Sequence, residues 1–184
     1  MSVFVTLESW EDIHAHQVGI SVHYANAGKA NRASYDKSKL QPDNDGASID
    51  AARAEIAVAK AYGGYWHGGF WSAAEHAKFR DLHADITVRR LVDGQPRGMG
   101  IEVKRRRNGS RVPIDQKDYN NNHLIVWAQV HGCDVDNDFV RVEIIGDARA
   151  VNVWENANPW GNDLKRRWFE PRLLSPPSVL MEYL

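Results

Sequence analysis

The amino-acid order predicts an α/β chain built on a central mixed β-sheet flanked by helices. Helical periodicity dominates the first third, where "SIDAARAEIAVAKAY" (48–62) is its clearest instance. Apolar and polar residues then alternate with period two in "ADITV" (84–88) and "GIEVKR" (100–105). Helices come first, a run of strands follows, and mixed structure closes the chain, which is the order of an α/β or α+β layered domain.

Taken in order, "LESWEDIHAHQVGISVHYANA" (7–27) reads as a helix ending near Gly28. Residues 29–48, polar and containing Pro42 and Gly46, read as a long loop. The helix at 48–62 has Ser48 as N-cap, is rich in alanine and is stopped by Gly63-Gly64. A shorter, aromatic-led helix is expected at 70–82. The strands at 84–88 and 100–105 are joined by a turn containing Asp93-Gly94 and Pro96. A loop with Asn108-Gly109 and Pro113 leads to a short helix at 115–120. "HLIVWAQV" (123–130) and "FVRVEII" (139–145) are two further strands. The remainder is rich in Trp, Arg and Pro. The division is a single domain over 1–184, with an N-terminal helix and loop (1–47), a core (48–145) and a C-terminal extension (146–184).

Composition narrows the function classes. With 184 residues, 43% hydrophobic and 26% charged, the chain has the make-up of an ordinary globular domain with a core of its own. No apolar run approaches the roughly 18–20 residues of a membrane span, so no membrane partner is expected. The start is acidic and lacks the basic opening of a secretory signal. The lone Cys133 excludes an intrachain disulfide and a multi-thiolate zinc site, which suits a cytoplasmic location, the host cytoplasm if the chain is phage-encoded. Net charge is −1, yet Arg89–Lys117 holds nine basic residues against three acidic ones. Such a run is either a solvated loop or a phosphate-binding surface.

The helix at 48–62 raises the first chemical question. At about 100° per residue, Asp50, Arg53 and Lys60 share one polar stripe. Glu55 points the other way, among Ala51, Ala52, Val58, Ala59 and Tyr62. A carboxylate on an apolar face requires a cation or a metal. In "GIEVK", alternation places Glu102 and Lys104 on one face, about 6.6 Å apart. If the strands at 84–88 and 100–105 are neighbours, Asp85 lies beside Glu102. Two adjacent carboxylates repel unless a cation sits between them, and hard oxygen ligands suit Mg²⁺. Each residue alone is as readily an edge-strand ion pair.

A helical glutamate, an aspartate at a first strand and E-V-K on the next, in that order, together resemble the PD-(D/E)XK nuclease superfamily. The likeness spans about residues 48–145 and implies a restriction-endonuclease-like α-β-β-β-α-β core. It implies Asp85 and Glu102 as metal ligands, the Val103 carbonyl as a further ligand, Lys104 as catalytic lysine and Glu55 as the acid completing the site. The proline that usually precedes the aspartate is Ala84 here. The C-terminal "WFEPRLLSPPSVL" is similar to tails of small phage-borne members. The expected activity is Mg²⁺-dependent hydrolysis of DNA, with Mn²⁺ able to substitute. Phosphate contacts are expected from Arg105, Arg106, Arg107 and Arg111, with Gln116 and Lys117 as further ones. The near-neutral charge implies either a short substrate contact or a homodimer that pools its basic loops. A branched-DNA resolvase and a non-catalytic nucleic-acid-binding module on the same fold are the alternatives. Trp66, Trp71 or Trp160 would stack on bases if the substrate is single-stranded.

Overall fold

The structure, a computed structural model, describes residues 2–27, 44–68, 84–92, 95–106, 111–132 and 139–178. The helix expected at 70–82, the turn at Asp93-Gly94, Asn108-Gly109, Arg107, Trp71 and Cys133 lie outside the described residues.

The chain opens with strand β1 (Val3–Thr6), followed by helices α1 (Ser9–Ala27) and α2 (Asn44–Tyr62). Strands β2 (Tyr65–Trp66), β3 (Ile86–Val92), β4 (Gln95–Arg105) and β5 (Val112–Asp115) come next. The short helix α3 (Gln116–Asn120) then leads to β6 (Leu124–His131) and β7 (Arg141–Arg149). Helix α4 (Ala150–Trp154), strands β8 (Asn158–Trp160) and β9 (Asp163–Phe169) and a single 3-10 turn at Pro171–Leu173 complete the described structure. The architecture is mixed α/β, as the sequence predicts, around a six-stranded sheet of order β1-β7-β6-β4-β3-β2. Only the β4–β6 pair is parallel. A second sheet, β5-β9-β8, was not foreseen.

The centre of the large sheet explains the continuous apolar run in β6. Leu124 to Ala128 are all buried, because both faces of this strand are covered. Leu124, Val126 and Ala128 join Ile86, Ile101 and Ile144 in a core under α2. Ile125 and Trp127 face the other way, into a second core with Val112, Val153 and Phe169. Alanines on α2 let α1 and the sheet approach closely, and the helices touch where a Cβ on Gly19 would meet Ile49 Cα at 2.5 Å. The polar stripe of α2 faces α1. Arg53 Nε lies 2.6 Å from Asp12 and Lys60 Nζ 2.9 Å from Glu11.

Several predicted boundaries are corrected. The first helix starts at Ser9, because Leu7 is fully buried and its amide bonds to the Val140 carbonyl as an extension of β1. Helix α2 starts at Asn44, inside the expected 29–48 loop. Strands β3 and β4 run on to Val92 and from Gln95, so Pro96 is a ladder residue opposite Leu91, not part of the turn. Its missing N–H costs nothing there, since β4 meets β6 only from Ile101 onward. Strand β7 continues through 145 to Arg149 and so crosses the expected core boundary. The C-terminal segment is tied down by Asp147, which accepts from Tyr62 Oη at 2.6 Å and from Ser178 Oγ at 2.7 Å.

Candidate functional site

The site forms where β3 leaves β4. Their last ladder pair is Ile86 with Ile101, and one further step sets Asp85 opposite Glu102. Beyond that point β6 is the strand that flanks β4 among the described residues, as far as Arg105. The Arg106 amide donates to Ala128 O on β6 at 2.7 Å, so the alternate amide of Val103 points to the side β3 has vacated. It donates to Asp85 Oδ2 at 2.8 Å. Asp85 therefore replaces the missing ladder partner, which holds its carboxylate against the backbone of the E-V-K stretch. Glu102 and Lys104 pair in register with Ile125 and Trp127 and share their face.

Glu55 reaches the same neighbourhood from α2. It is half-buried and accepts from Trp66 Nε1 at 2.7 Å, and the Trp66 ring meets His14 edge-on at 5.0 Å. Burial pushes the Glu55 carboxyl up to about 7; the Trp66 bond and Lys104 oppose this and Glu102 adds to it. Burial likewise holds Asp85 well above the usual carboxylate range, reinforced by Glu102 and Glu55 and opposed by Lys104 and the Val103 amide. Glu55, Asp85, Glu102 and Lys104 thus lie within electrostatic reach of one another.

Lys104 is the hub. Its Nζ lies 3.3 Å from Glu102, 3.3 Å from Asp118 and 3.9 Å from Asp115. Burial alone would favour the neutral amine. The surrounding carboxylates outweigh it and raise the pKa, so Lys104 is a firm ammonium. Lys117 Nζ, from α3, lies 2.8 Å from the other Glu102 oxygen. Both lysines therefore draw the Glu102 carboxylate toward α3.

Two further residues complete the cluster. Asp118 is fully buried on α3, with Oδ2 accepting the Asp115 amide at 3.0 Å. Burial pushes its carboxyl up, but His123, Lys104 and that amide outweigh burial and bring it down to about 2. His123 follows at the end of the turn, its amide bonded to the Asp118 carbonyl at 2.9 Å. Its ring rests on β4 because residue 100 is glycine; a Cβ there would meet His123 Cδ2 at 2.7 Å. The glycine in "GMG" and the acid three residues after Asp115 were the available signals.

Glu102, Asp118 and His123 can each offer one ligand atom to a metal ion, all within 4.8 Å of one another. Asp118 Oδ1 and His123 Nδ1 are buried and without a hydrogen-bond partner, 3.7 Å apart. Two orphaned ligand atoms facing a carboxylate are the donor set a divalent cation would satisfy. Among the described residues this is the group of three with such spacing; Glu55 and Asp85 do not close onto Glu102 to the same degree. The lysine pairs of Glu102 account for that difference.

The described members of the arginine run have separate partners. Arg105 is bound to Asp50 of α2 at 2.7 Å, with its side chain 17% exposed. Arg106 is exposed, lies over Trp127 and donates to Gln129 at 3.0 Å. Arg111, also exposed, lies over Trp168 on β9. Gln116 is exposed at the start of α3, while Lys117 is engaged by Glu102.

No family model, curated protein or solved structure matches the chain. Among the described residues, no helix is long and apolar enough to cross a membrane.

Proposed function

We propose that the chain is a metal-dependent nuclease of the PD-(D/E)XK type that hydrolyses phosphodiester bonds in DNA. The observation that carries the reading is Asp85 beside Glu102 at the open edge of β4, with Glu55 and Lys104 in electrostatic reach. Element order adds support. Helix α2, the antiparallel strands β2, β3 and β4, then α3 and a β6 parallel to β4 are compatible with the α-β-β-β-α-β order of a restriction-endonuclease-like core, with β5 of the smaller sheet inserted before α3.

The cation would be Mg²⁺ or Mn²⁺, held by Asp85 and Glu102 with Glu55 and the Val103 carbonyl alongside. Asp118 and His123 would offer a neighbouring set that shares Glu102. When bound, the cation supplies a water of lowered pKa and neutralises charge on the phosphate. Lys104, kept protonated by its carboxylates, contributes positive charge beside the scissile phosphate and serves as a hydrogen-bond donor rather than as a base. Asp85, pinned by the Val103 amide, fixes the ligand direction. Loosening of the Lys117–Glu102 pair would free Glu102 for the cation.

The test is cleavage of closed-circular, linear, branched and single-stranded DNA and of RNA, with Mg²⁺ or Mn²⁺ against EDTA. Divalent-dependent nicking of the circle is expected. Asp85→Asn and Lys104→Ala should each reduce it on the order of 10³-fold or more. Undiminished activity in both folded variants, or no divalent-dependent cleavage of any substrate, overturns the reading. Symmetric cutting confined to a four-way junction would identify a resolvase.

A further inference from the structure

The three-stranded sheet has two unlike faces. Its inner face is filled by Val112, Ile114 and Phe169, all fully buried, and by Arg167, which lies over Trp154 and donates to its carbonyl at 2.8 Å. Alternation turns Arg111, Pro113, Arg166 and Trp168 to the outer face, where Pro113 stands opposite Trp168. There the Arg111 guanidinium lies 4.5 Å from the Trp168 ring centre. The ladder is irregular between Pro159 and Trp160, and Trp160 meets the Arg166 guanidinium at 5.1 Å. At the hairpin end Leu164 is 90% exposed and Trp160 39% exposed.

These groups suit one kind of ligand. A guanidinium held over an indole keeps N–H groups at its rim that can donate to a phosphate. An exposed indole and leucine are poorly placed in water but well placed against the flat face of a base. A duplex hides its base faces and would use only the arginines; an unpaired strand uses both sets. The face is also continuous with the site: Arg166 Nε lies 3.4 Å from Asp115, whose other oxygen is 3.9 Å from Lys104.

We propose that the outer face of β5-β9-β8 binds a single-stranded stretch of nucleic acid flanking the phosphodiester presented to Lys104, its link to that site resting on the nuclease reading above. Phosphates lie on Arg111 and Arg166, and bases lie against Trp160 and Leu164.

Fluorescence anisotropy of a labelled oligothymidylate of roughly a dozen nucleotides, in EDTA, tests this without any cleavage. The single strand should bind more tightly than a duplex of the same length. Trp160→Ala and Arg111→Ala should each weaken it about 5–10-fold, with Trp160→Phe restoring most of the loss. Leu164→Asp, at a position too exposed to affect folding, should weaken it as well. Equal or tighter duplex binding, or wild-type affinity in all three weakened variants, overturns the platform. Cleavage that needs Asp85 and Glu102 alongside that result leaves the nuclease reading standing. Trp160-dependent strand binding in a chain that cleaves nothing supports the platform and removes the nuclease.

Discussion

Two clusters that mix acids and cations, one between α1 and α2 and one around β4 and α3, differ in balance. Between α1 and α2, Glu11, Asp12 and Asp50 face Lys60, Arg53 and Arg105, with pairs at 2.9, 2.6 and 2.7 Å. Each acid there has a cation, the pattern of an ion-pair seam that positions a helix. Around β4 and α3, Glu55, Asp85, Glu102, Asp115 and Asp118 face Lys104, Lys117 and Arg166. The acids outnumber the cations, two of them are held up in pKa, and two buried ligand atoms have no hydrogen-bond partner. Acids in excess of their cations, with raised pKa values and unpaired ligand atoms, are the pattern of a group that could take up a cation.

The sharpest way to break that contrast is to neutralise one acid in each cluster. Asp85→Asn should cut divalent-dependent cleavage by about 10³-fold while raising the melting temperature in EDTA, because it relieves repulsion with Glu102 and Glu55. Asp12→Asn should do the reverse, lowering the melting temperature and leaving cleavage intact. If both variants melt lower, the β4 cluster is simply another seam.

A smaller effect is expected from Arg53→Ala, which strands Asp12 at the helix interface and leaves Asp50 to Arg105 alone. It should cost about 1–3 kcal/mol by urea denaturation, since both partners are half-buried and hydrogen-bonded. Smaller again is the pH response of the metal-free protein. Glu55 binds its proton more tightly folded than unfolded, so stability is greatest below the ordinary glutamate range. It declines as pH rises to about 7 and is flat above. The loss should be on the order of 1–3 kcal/mol, measured as melting temperature between about pH 4 and 8, and should shrink in Glu55→Gln, the remainder belonging to Asp85. A stability that rises with pH across that window would contradict the raised Glu55. The smallest effect falls on Arg105, which ties the seam to β4 through Asp50. Arg105→Ala should cost roughly 0.5–1 kcal/mol and leave the salt dependence of DNA binding unchanged, whereas Arg111→Ala should reduce its slope by about one. A reduced slope in both variants would make Arg105 a phosphate contact after all.

Much of the fold was legible because its signals are local. Alternation in "GIEVK" placed Glu102 and Lys104 on one face, and the Asp85–Glu102 adjacency followed from a hairpin whose strands are neighbours. The α-helical period likewise set Glu55 apart from the Asp50–Arg53–Lys60 stripe. What escaped depends on distant partners. Strand β1 has only four residues and pairs with β7 at the far end of the chain, Val3 opposite Ile144. Asp118 meets Glu102 only because α3 closes a single turn over β4, and its one local sign is its place three residues after Asp115. Glu102's pairing with Lys117 is a choice among cations made in three dimensions. The arginine run was legible as charge but not as direction, since Asp50, Trp127 and Trp168 claim its members separately.

Asp115 ends β5, precedes α3, and divides its two oxygens between Arg166 and Lys104. That makes it a shared contact between the sheet that would hold a strand and the lysine that would act on it. An anion on Arg166 would leave Asp115 free to turn wholly toward Lys104, so filling the proposed platform would alter the charge around that lysine. On the nuclease reading, affinity and turnover would then not be separately adjustable. Any change at Asp115 should move KM and kcat together.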